Sequence, residues 1–264
     1  AQRIPAFIIT LGGLLVFKGA FWLVIHNSTI PVSAGTEANL YSLLTTYYLP
    51  VWAGSLLLLA IGALFVYSQL RTRRQRRAYG FEVEDFEVAF LKTFVGLQGL
   101  LLFAIVMNNF RGIPLSVVIL GVVAFLVYVV TQHTPFGRYL YAIGDNEEAA
   151  ALSGIPIQKV VIGAYALLGA IVALTGFMQT AYAGASTTTV GDLMELDAIA
   201  ACVIGGTSLK GGCGTVMGVL FGALIMTSLL NGMTLLAVSP EMKYMARGLV
   251  LIGAVWMDVV VSRK

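Results

Sequence analysis

Charged side chains are scarce in this chain of 264 residues, because Asp, Glu, Lys and Arg make up only 11% of it. A soluble domain carries about 25% charged residues. Hydrophobic residues make up 58% of the chain, and the mean hydropathy is +0.89. The apolar residues occur in long unbroken runs, whereas a transmembrane barrel shows alternating segments of roughly ten residues. The composition therefore predicts an all-α, polytopic integral membrane bundle.

Cysteine and histidine are also rare, with Cys202, Cys213, His26 and His133 as the complete set. Neither a disulfide framework nor a Cys/His metal-binding spacing is present. The sequence also lacks a Ser, His and Asp grouping and paired carboxylates within an apolar run. We therefore expect no metal, no cofactor and no enzymatic activity in this chain.

Basic residues form one dense cluster, the stretch RTRRQRR at 71–77. A nucleic-acid-binding surface would combine basic residues with aromatic ones on an exposed face. This stretch instead follows directly after an apolar run, where basic residues mark the cytoplasmic side of a membrane protein. We therefore expect the lipid bilayer, and no nucleic acid, as the partner of this region.

Eight stretches are apolar enough to lie in the membrane, since a span needs about 20 largely apolar residues. They are 5–25, 49–70, 89–107, 114–132, 159–180, 196–209, 213–236 and 244–260. The sixth is short and glycine-rich at its end, which favours a half-span or a re-entrant piece surrounded by protein. The first residue is Ala and a span follows at once, so we also expect that N-terminal spans of a longer protein are missing.

The distribution of Lys and Arg predicts the orientation of these segments. With a cytoplasmic N-terminus, eleven basic residues lie on the cytoplasmic side: Arg3, the five arginines of 71–77, Arg138, Lys159, Lys210, Arg263 and Lys264. The outer loops then hold two, Arg111 and Lys243. Lys18, Lys92 and Arg247 fall within segments, and we assign them no role. Because Lys and Arg favour the cytoplasm, both termini are predicted to be cytoplasmic.

A polar island, YAIGDNEEAAALSGIP at 141–156, interrupts the apolar sequence. Asp145 or Asn146 can cap a helix, and the two glutamates that follow would occupy its first turn, where the helix dipole favours negative charge. Gly154 suits the position after the helix end, and Pro156 prevents continuation. A helix of about two turns is not stable alone in water. Either the rest of the chain or a partner must hold it, unless it is merely a linker between two spans.

A glycine-rich stretch, GGTSLKGGCGT at 205–215, lacks the spacing of a P-loop because Lys210 is not followed by Ser or Thr. We expect a tight cytoplasmic bend there and no nucleotide site. Three glycines, Gly214, Gly218 and Gly222, then recur at intervals of four. Such a stripe allows close approach of another helix, either within the chain or at a subunit interface.

Several blocks of the sequence resemble the permease subunits of bacterial ABC importers for sugars of the ribose, galactose and xylose type. The stretch GRYLYAIGDNEEAAALSGI (137–155) resembles their cytoplasmic EAA-type loop. Two further blocks agree with it: LDAIAACVIGGTSLKGGCGTVMGVLFGALIMTSLLNGM (196–233) and RIPAFIITLGGLLVFKG (3–19). The stretches MKYMARGLVLIGAVWMD (242–258) and NNFRGIP (108–114) are most similar to the xylose permease branch.

The resemblance implies that 1–264 is a single transmembrane permease domain and that 133–158 is a cytoplasmic EAA-type coupling loop. In that family the loop forms a helix that sits in a groove of a separate ATPase subunit. The residues that match the coupling positions are Gly144, Asn146, Glu147, Glu148, Ala149, Ala150, Leu152 and Gly154. A partner ATPase would then be what holds the short helix.

A passage for a sugar needs polar groups inside the bundle, because charges within lipid are costly. The candidates for contacts along this path are Asp197, Gln179, Thr207, Ser208, Asn231 and the aromatic Phe177. For each of them, ordinary packing or an interfacial position is an open alternative. Asp197 is the favoured candidate, although an acid at the start of a segment can also cap a helix.

The expected function is import of a monosaccharide, D-xylose or a similar sugar, across the bacterial cytoplasmic (inner) membrane. The implied partners are an ABC ATPase, a periplasmic or extracellular sugar-binding protein and a second permease copy in a homodimer. Three alternatives remain open: an ABC permease for branched-chain amino acids, one for a signalling furanose, and a secondary carrier. A secondary carrier would need acid or histidine relays in the membrane, and Asp197 is the only nearby candidate.

Overall fold

The structure is a computed structural model that describes residues 6–26, 28–32, 40–80 and 85–261. The described residues form eleven helices and one two-stranded antiparallel sheet. The helices are α1 (Ala6–Val24), α2 (Leu40–Thr46), α3 (Val51–Ala78), α4 (Phe86–Phe110), α5 (Leu115–His133), α6 (Pro135–Asp145), α7 (Glu147–Leu152), α8 (Ile157–Ala183), α9 (Met194–Ile204), α10 (Val216–Leu235) and α11 (Pro240–Val261). The strands are β1 (Ile30–Pro31) and β2 (Ala185–Ser186).

The prediction of an all-α membrane bundle is confirmed. Within the described ranges, five helices are long and apolar enough to cross a membrane: α3, α4, α5, α8 and α10. Each of the eight predicted segments coincides with a helix, and the ends differ by a few residues in most cases. The apolar stretch of α1 is shorter, at Ile8–Val24. Helix α9 has 11 residues and rises about 16 Å, which is too short to cross the roughly 30 Å of hydrocarbon.

The sequence predicted a segment that ends at residue 70, but helix α3 continues through the basic stretch 71–77 to Ala78. Arginine is a good helix former, and the sequence has no Gly or Pro between Leu70 and Gly80. Helices α2 and α6 are absent from the prediction, and α6 begins after Thr134. The Thr134 hydroxyl accepts a hydrogen bond from the Gly137 N–H at 3.3 Å, and Pro135 occupies the first turn. Both features are standard helix starts.

The chain divides into two compact units, residues 37–120 and residues 1–36 together with 121–264. In the first unit α3 and α4 pack against each other through small residues. The Leu97 side chain lies against Gly62, and the Phe65 ring lies against Gly96. The most buried side chain is Ile113, which is 1% exposed and contacts Gly54. The two helices therefore pack by placing large side chains of one helix against glycines of the other.

The second unit has its core between α9 and α10. Ala200, Ala201 and Val203 of α9 are buried, as is Met226 of α10. Two backbone contacts bring these helices together: Gly205 lies against Gly218, and Ala201 lies against Gly222. A side chain at either helical glycine would clash with the backbone of α9, so this packing requires glycine.

Candidate functional site

The polar island is built as two consecutive helices joined by one residue. Asn146 ends α6 and begins α7, and its side-chain Oδ1 accepts a hydrogen bond from the Ala149 N–H at 2.9 Å. Of the two predicted caps, Asn146 is therefore the one used, and Asp145 is the last residue of α6. Gly154 has a φ of +79°, the left-handed conformation that favours glycine after a helix end.

Helix α7 has one buried face and one exposed face. Ala150 is 4% exposed and holds the helix against the chain, and the Ile155 N–H donates to the Ala150 carbonyl at 3.2 Å. Leu152 is 90% exposed, and Glu147 and Glu148 are also exposed. The structure thus shows intrachain support for this six-residue helix, and it leaves a large apolar side chain facing outwards.

The island packs on the glycine-rich stretch 205–215. A Cβ atom on Gly144 would lie 2.5 Å from the Gly212 N, and one on Gly211 would lie 2.6 Å from the Gly144 carbonyl oxygen. The Tyr141 hydroxyl donates a hydrogen bond to the Gly214 carbonyl at 2.9 Å. The two sequence blocks that most resemble known permeases therefore meet in one contact region.

The glycine-rich stretch is held by a hydrogen bond within it and by one to α11. The Ser208 Oγ accepts from the Lys210 N–H at 3.2 Å, and the Asp258 Oδ2 accepts from the Leu209 N–H at 3.3 Å. Gly211 and Gly212 have positive φ values of +98° and +75°. These contacts and backbone angles form a tight bend between α9 and α10, as the sequence predicted for this stretch.

Of the three glycines in the predicted stripe, two lie in helix α10 and one lies before it. Gly218 and Gly222 lie in α10 and contact the α9 backbone. Gly214 lies before the helix, because α10 begins at Val216 with Thr215 as its cap, and a Cβ atom there would contact Thr207. The interval of four residues predicts that the helix includes Gly214. Helix α10 instead begins after Thr215, because Thr215 is a good N-terminal cap.

The predicted substrate-path residues lie on several elements of the fold. Asp197 lies in the first turn of α9, whereas Thr207 and Ser208 follow its last turn. Seven residues of helix separate Asp197 from Ile204, which is about 10 Å. The other candidates lie on different helices: Phe177 and Gln179 on α8, with Phe177 59% exposed, and Asn231 on α10, where it is exposed.

An ion pair joins Asp197 to Arg247 of α11, with the Oδ2 and Nη2 atoms 3.3 Å apart. Their side chains are 23% and 27% exposed. The Asp197 Oδ1 and Arg247 Nε atoms are buried, and they have no hydrogen-bond partner among the described residues. Asp197 is not the cap of α9, because the helix begins after Leu193. Sequence reasoning left Arg247 without a role, although opposite charges in two apolar segments are a signal for pairing.

A second ion pair connects α1 with the segment before α9. The Lys18 ammonium lies 2.7 Å from the Asp192 carboxylate, and it also lies 5.6 Å from the centre of the Trp22 ring. The Trp22 indole N–H donates to the Thr188 carbonyl at 3.3 Å. This side of the unit also holds the pairing of β1 with β2. Residues 30–31, which follow α1, are thus in contact with residues 185–186, which follow α8.

No group of three or more His, Cys, Asp or Glu residues with metal-binding geometry occurs within the described part of the chain. Cys202 and Cys213 are both free thiols. The residues described above supply hydrogen bonds, ion pairs and close backbone contacts, and these features suit helix packing and docking.

Comparison with known proteins gives a match over nearly the whole chain. The family model described as branched-chain amino acid transport system / permease component matches residues 3–255. The xylose transport system permease protein of Escherichia coli strain K12 is 38% identical over 273 residues, which cover 100% of this chain and 66% of that protein. No solved structure matches.

Two further relatives differ in how much of the chain they cover. The xylose transport system permease protein of Haemophilus influenzae is 39% identical over 265 residues, with 100% of this chain and 69% of that protein covered. The ribose import permease protein of Escherichia coli strain K12 is 44% identical over 147 residues, with 56% of this chain and 46% of that protein covered. The chain thus spans about two thirds of the length of its full-coverage relatives.

The resemblance noted in the sequence is confirmed at the level of the family. The identity to the xylose transport system permease proteins extends along the whole chain, and the family model covers all five long apolar helices. These helices and this relationship make the protein a multi-pass protein of the bacterial inner membrane. The chain belongs to the family of branched-chain amino acid transport system permease components.

Proposed function

We propose that the chain is the membrane-spanning permease subunit of an ATP-binding-cassette importer. Its substrate is a monosaccharide, D-xylose or a similar sugar, and a separate cytoplasmic ATPase subunit provides the energy. The proposal rests on the identity of 38% and 39% to two xylose transport system permease proteins along the full chain. The chain itself contributes no catalytic residue to ATP hydrolysis.

The observation that carries the coupling part of the proposal is the outward-facing side of α7. Leu152 is 90% exposed at the end of this helix, whereas Ala150 is buried against the chain. A large exposed apolar side chain on a firmly held helix suits insertion into a groove of another protein. The proposed coupling residues are Gly144, Asn146, Glu147, Glu148, Ala149, Ala150, Leu152 and Gly154.

These eight residues divide by the contacts that they make. Gly144 lets α6 approach the glycine-rich stretch, and Asn146 and Gly154 form the two ends of α7. Movement of α7 by an ATPase would reach α9 and α10 through the contact of Gly144 with Gly212. Exposed ion pairs of the two glutamates with the partner would contribute about 0–1 kcal/mol each. The fit of Leu152 should matter more, because burial of a leucine side chain contributes about 1.5–3 kcal/mol.

For the sugar path we propose the polar groups at the start of α9, with Asp197 as the principal contact. Arg247 belongs with it because the two side chains form an ion pair 3.3 Å apart. Gln179, Asn231, Thr207, Ser208 and Phe177 remain proposed contacts along the path. The outer loops 26–48 and 181–195 would receive an external sugar-binding protein, and a second permease copy would complete the transporter as a homodimer.

The test is co-purification of the full-length protein from native membranes in mild detergent, with identification of any P-loop ATPase. We expect Leu152→Gln to weaken recovery of the ATPase by about 10–100-fold, from a loss of about 1.5–3 kcal/mol. Leu235→Gln is the matched control, since Leu235 is 88% exposed at the end of α10. Absence of an ATPase, or equal recovery with both variants, would refute the coupling role.

Branched-chain amino acids are a second candidate substrate class, because the description of the matching family names them. The two classes can be separated in reconstituted vesicles that contain the permease, its ATPase and its binding protein. We expect uptake of labelled xylose that excess ribose reduces and excess leucine leaves unchanged. Competition by leucine alone would instead favour the amino-acid substrate.

A further inference from the structure

Between α8 and α10 the chain crosses the apolar layer by a broken path. Helix α8 begins shortly after α7 and rises about 40 Å over its 27 residues, so Ala183 lies at the opposite end of the second unit from α7. The bend at 205–215 lies beside α6 again, where Gly212 contacts Gly144. The chain therefore returns across the apolar layer between the end of α8 and this bend.

Only the second half of this return crossing is helical. The first half, residues 184–193, is here called the threonine segment, and it contains no helix. Helix α9 rises about 16 Å, which leaves roughly 14 Å of a 30 Å hydrocarbon layer for the threonine segment. Leu193 ends the segment with a φ of +63°, a conformation that is uncommon for leucine. The threonine segment therefore lies within the apolar layer.

Contacts with α1 place the threonine segment at the same depth. Its strand β2 pairs with β1, which follows α1. The Thr188 carbonyl accepts a hydrogen bond from the Trp22 indole N–H at 3.3 Å. The Asp192 carboxylate lies 2.7 Å from the ammonium of Lys18, which is about 9 Å from the end of α1. The segment thus descends along α1 and does not remain beyond its end.

The backbone of the threonine segment is unsuited to contact with lipid. It forms three consecutive turns, in which the N–H groups of Val190, Asp192 and Met194 donate to carbonyls three residues earlier at 3.1 to 3.2 Å. Between them, the N–H groups of Gly191 and Leu193 donate to no described residue. Non-helical backbone at membrane depth occurs only where protein or a water-filled cavity surrounds it. Discontinuous helices of this kind often form the substrate site of transporters near the middle of the bilayer.

The side chains of the threonine segment supply hydroxyl groups. Thr187, Thr188 and Thr189 are consecutive, and the Oγ1 atoms of the first and third are 3.3 Å apart. A threonine hydroxyl offers one donor and two acceptor positions, so this contact leaves further positions for a ligand. Asp192 and Lys18 neutralise each other's charge. A row of neutral hydroxyl groups suits a neutral polyhydroxylated ligand better than an ion or an apolar molecule.

We propose that the threonine segment is a sugar-binding site, with the hydroxyl groups of Thr187, Thr188 and Thr189 as contacts to the hydroxyl groups of a monosaccharide. The segment leads directly into the first turn of α9, where Asp197 lies. The site therefore extends the sugar path away from Asp197 and towards the end of the unit that holds the β1–β2 pair. As a sugar site, it rests on the proposed transport of a monosaccharide.

The first experiment measures protection of an introduced thiol in the whole transporter, which is held in lipid nanodiscs with its ATPase. Every native cysteine of the permease is replaced, C202A and C213A included, and Thr188→Cys supplies the reactive group. A charged methanethiosulfonate reagent reaches this thiol only through water, and mass spectrometry of the permease measures the modification. We expect rapid modification. Xylose at twice its Kd should slow it about threefold, and leucine should leave it unchanged.

Thr227→Cys is the matched control. Thr227 is exposed near the middle of the continuous helix α10, and its hydroxyl donates to the Ala223 carbonyl at 2.6 Å. We expect slow modification there and no protection by xylose. Failure to modify Thr188→Cys, lack of protection by xylose, or equal protection at both positions would overturn the site. Protection by leucine in place of xylose would overturn the assignment to a sugar.

The contacts of the neighbouring hydroxyl groups are tested in the same reporter protein. Thr187→Val or Thr189→Val removes a hydroxyl group and keeps the shape of the side chain. Loss of one neutral hydrogen bond to the ligand should raise the xylose concentration for half protection by about 2–10-fold. An unchanged concentration in both variants would refute the hydroxyl contacts.

A measurement on the native protein covers the case in which a variant fails to fold. A photoreactive xylose derivative is crosslinked to the native transporter, and the modified peptides are mapped. We expect modification within 185–197, and modification confined to other peptides would overturn the site. Uptake of labelled xylose by the same preparation separates the two proposals. Uptake without modification of this segment refutes only the site, whereas the absence of sugar uptake refutes the proposed function as well.

Discussion

The close contact of α6 with the glycine-rich stretch makes Gly144→Ala an informative substitution. The new Cβ atom would lie 2.5 Å from the Gly212 N, whereas ordinary contact begins at 3.4 Å. The two segments must therefore separate by about 0.9 Å. Neither neighbour can yield by rotation of a side chain, because the nearest atoms belong to the backbone of Gly211 and Gly212.

Two opposing terms determine the expected change in stability. Overpacking of this kind costs about 1–3 kcal/mol. Replacement of glycine by alanine within a helix gains about 0.5–1 kcal/mol. The balance is a loss of about 0–2.5 kcal/mol for Gly144→Ala. The displacement of α6 and α7 also changes the contact that we propose for coupling, so ATP-driven uptake should fall more than the amount of folded protein.

The matched control is Gly176→Ala, which lies in α8, where an added Cβ atom would meet no described atom within 4 Å. This substitution should be neutral or stabilising by up to about 1 kcal/mol. Thermal unfolding of the two purified variants measures stability, and uptake per ATP hydrolysed in reconstituted vesicles measures coupling. If Gly144→Ala were as stable and as well coupled as the control, the argument from close backbone packing would be refuted.

Three further predictions concern single contacts and the orientation. Asn146→Ala should lower the unfolding temperature through loss of about 1 kcal/mol of capping, whereas Asn146→Asp should keep it, as thermal scans would show. Asp197→Ala should destabilise the protein more than the double variant Asp197→Leu/Arg247→Leu, because the single change leaves a half-buried cation without its partner; equal unfolding temperatures would contradict this. The arginines of 71–77 should be cleaved by trypsin only from the cytoplasmic side, and cleavage in intact spheroplasts would reverse the predicted topology.

The sequence by itself determined the fold class, because a chain with 11% charged residues and long apolar runs can only be covered by lipid or by other helices. It also predicted the positions of the helices to within a few residues for most segments. The two ends of α7 followed from local chemistry, since Asn146 and Gly154 act on neighbouring backbone groups. Such local signals need no information on distant contacts, and they identified the island as a separate helix.

The tertiary structure alone decided which distant residues meet. The pairing of Asp197 with Arg247, and of Lys18 with Asp192, joins residues far apart in the chain, and no sequence period encodes it. The same holds for the contact of Gly144 with Gly212. A glycine in a helix allows close approach of another backbone, but the sequence does not indicate which segment approaches. The helical continuation through 71–77 does not follow from the apolar run, because that run ends at residue 70. Arginine favours helix locally, and the structure shows that α3 runs for 28 residues to Ala78.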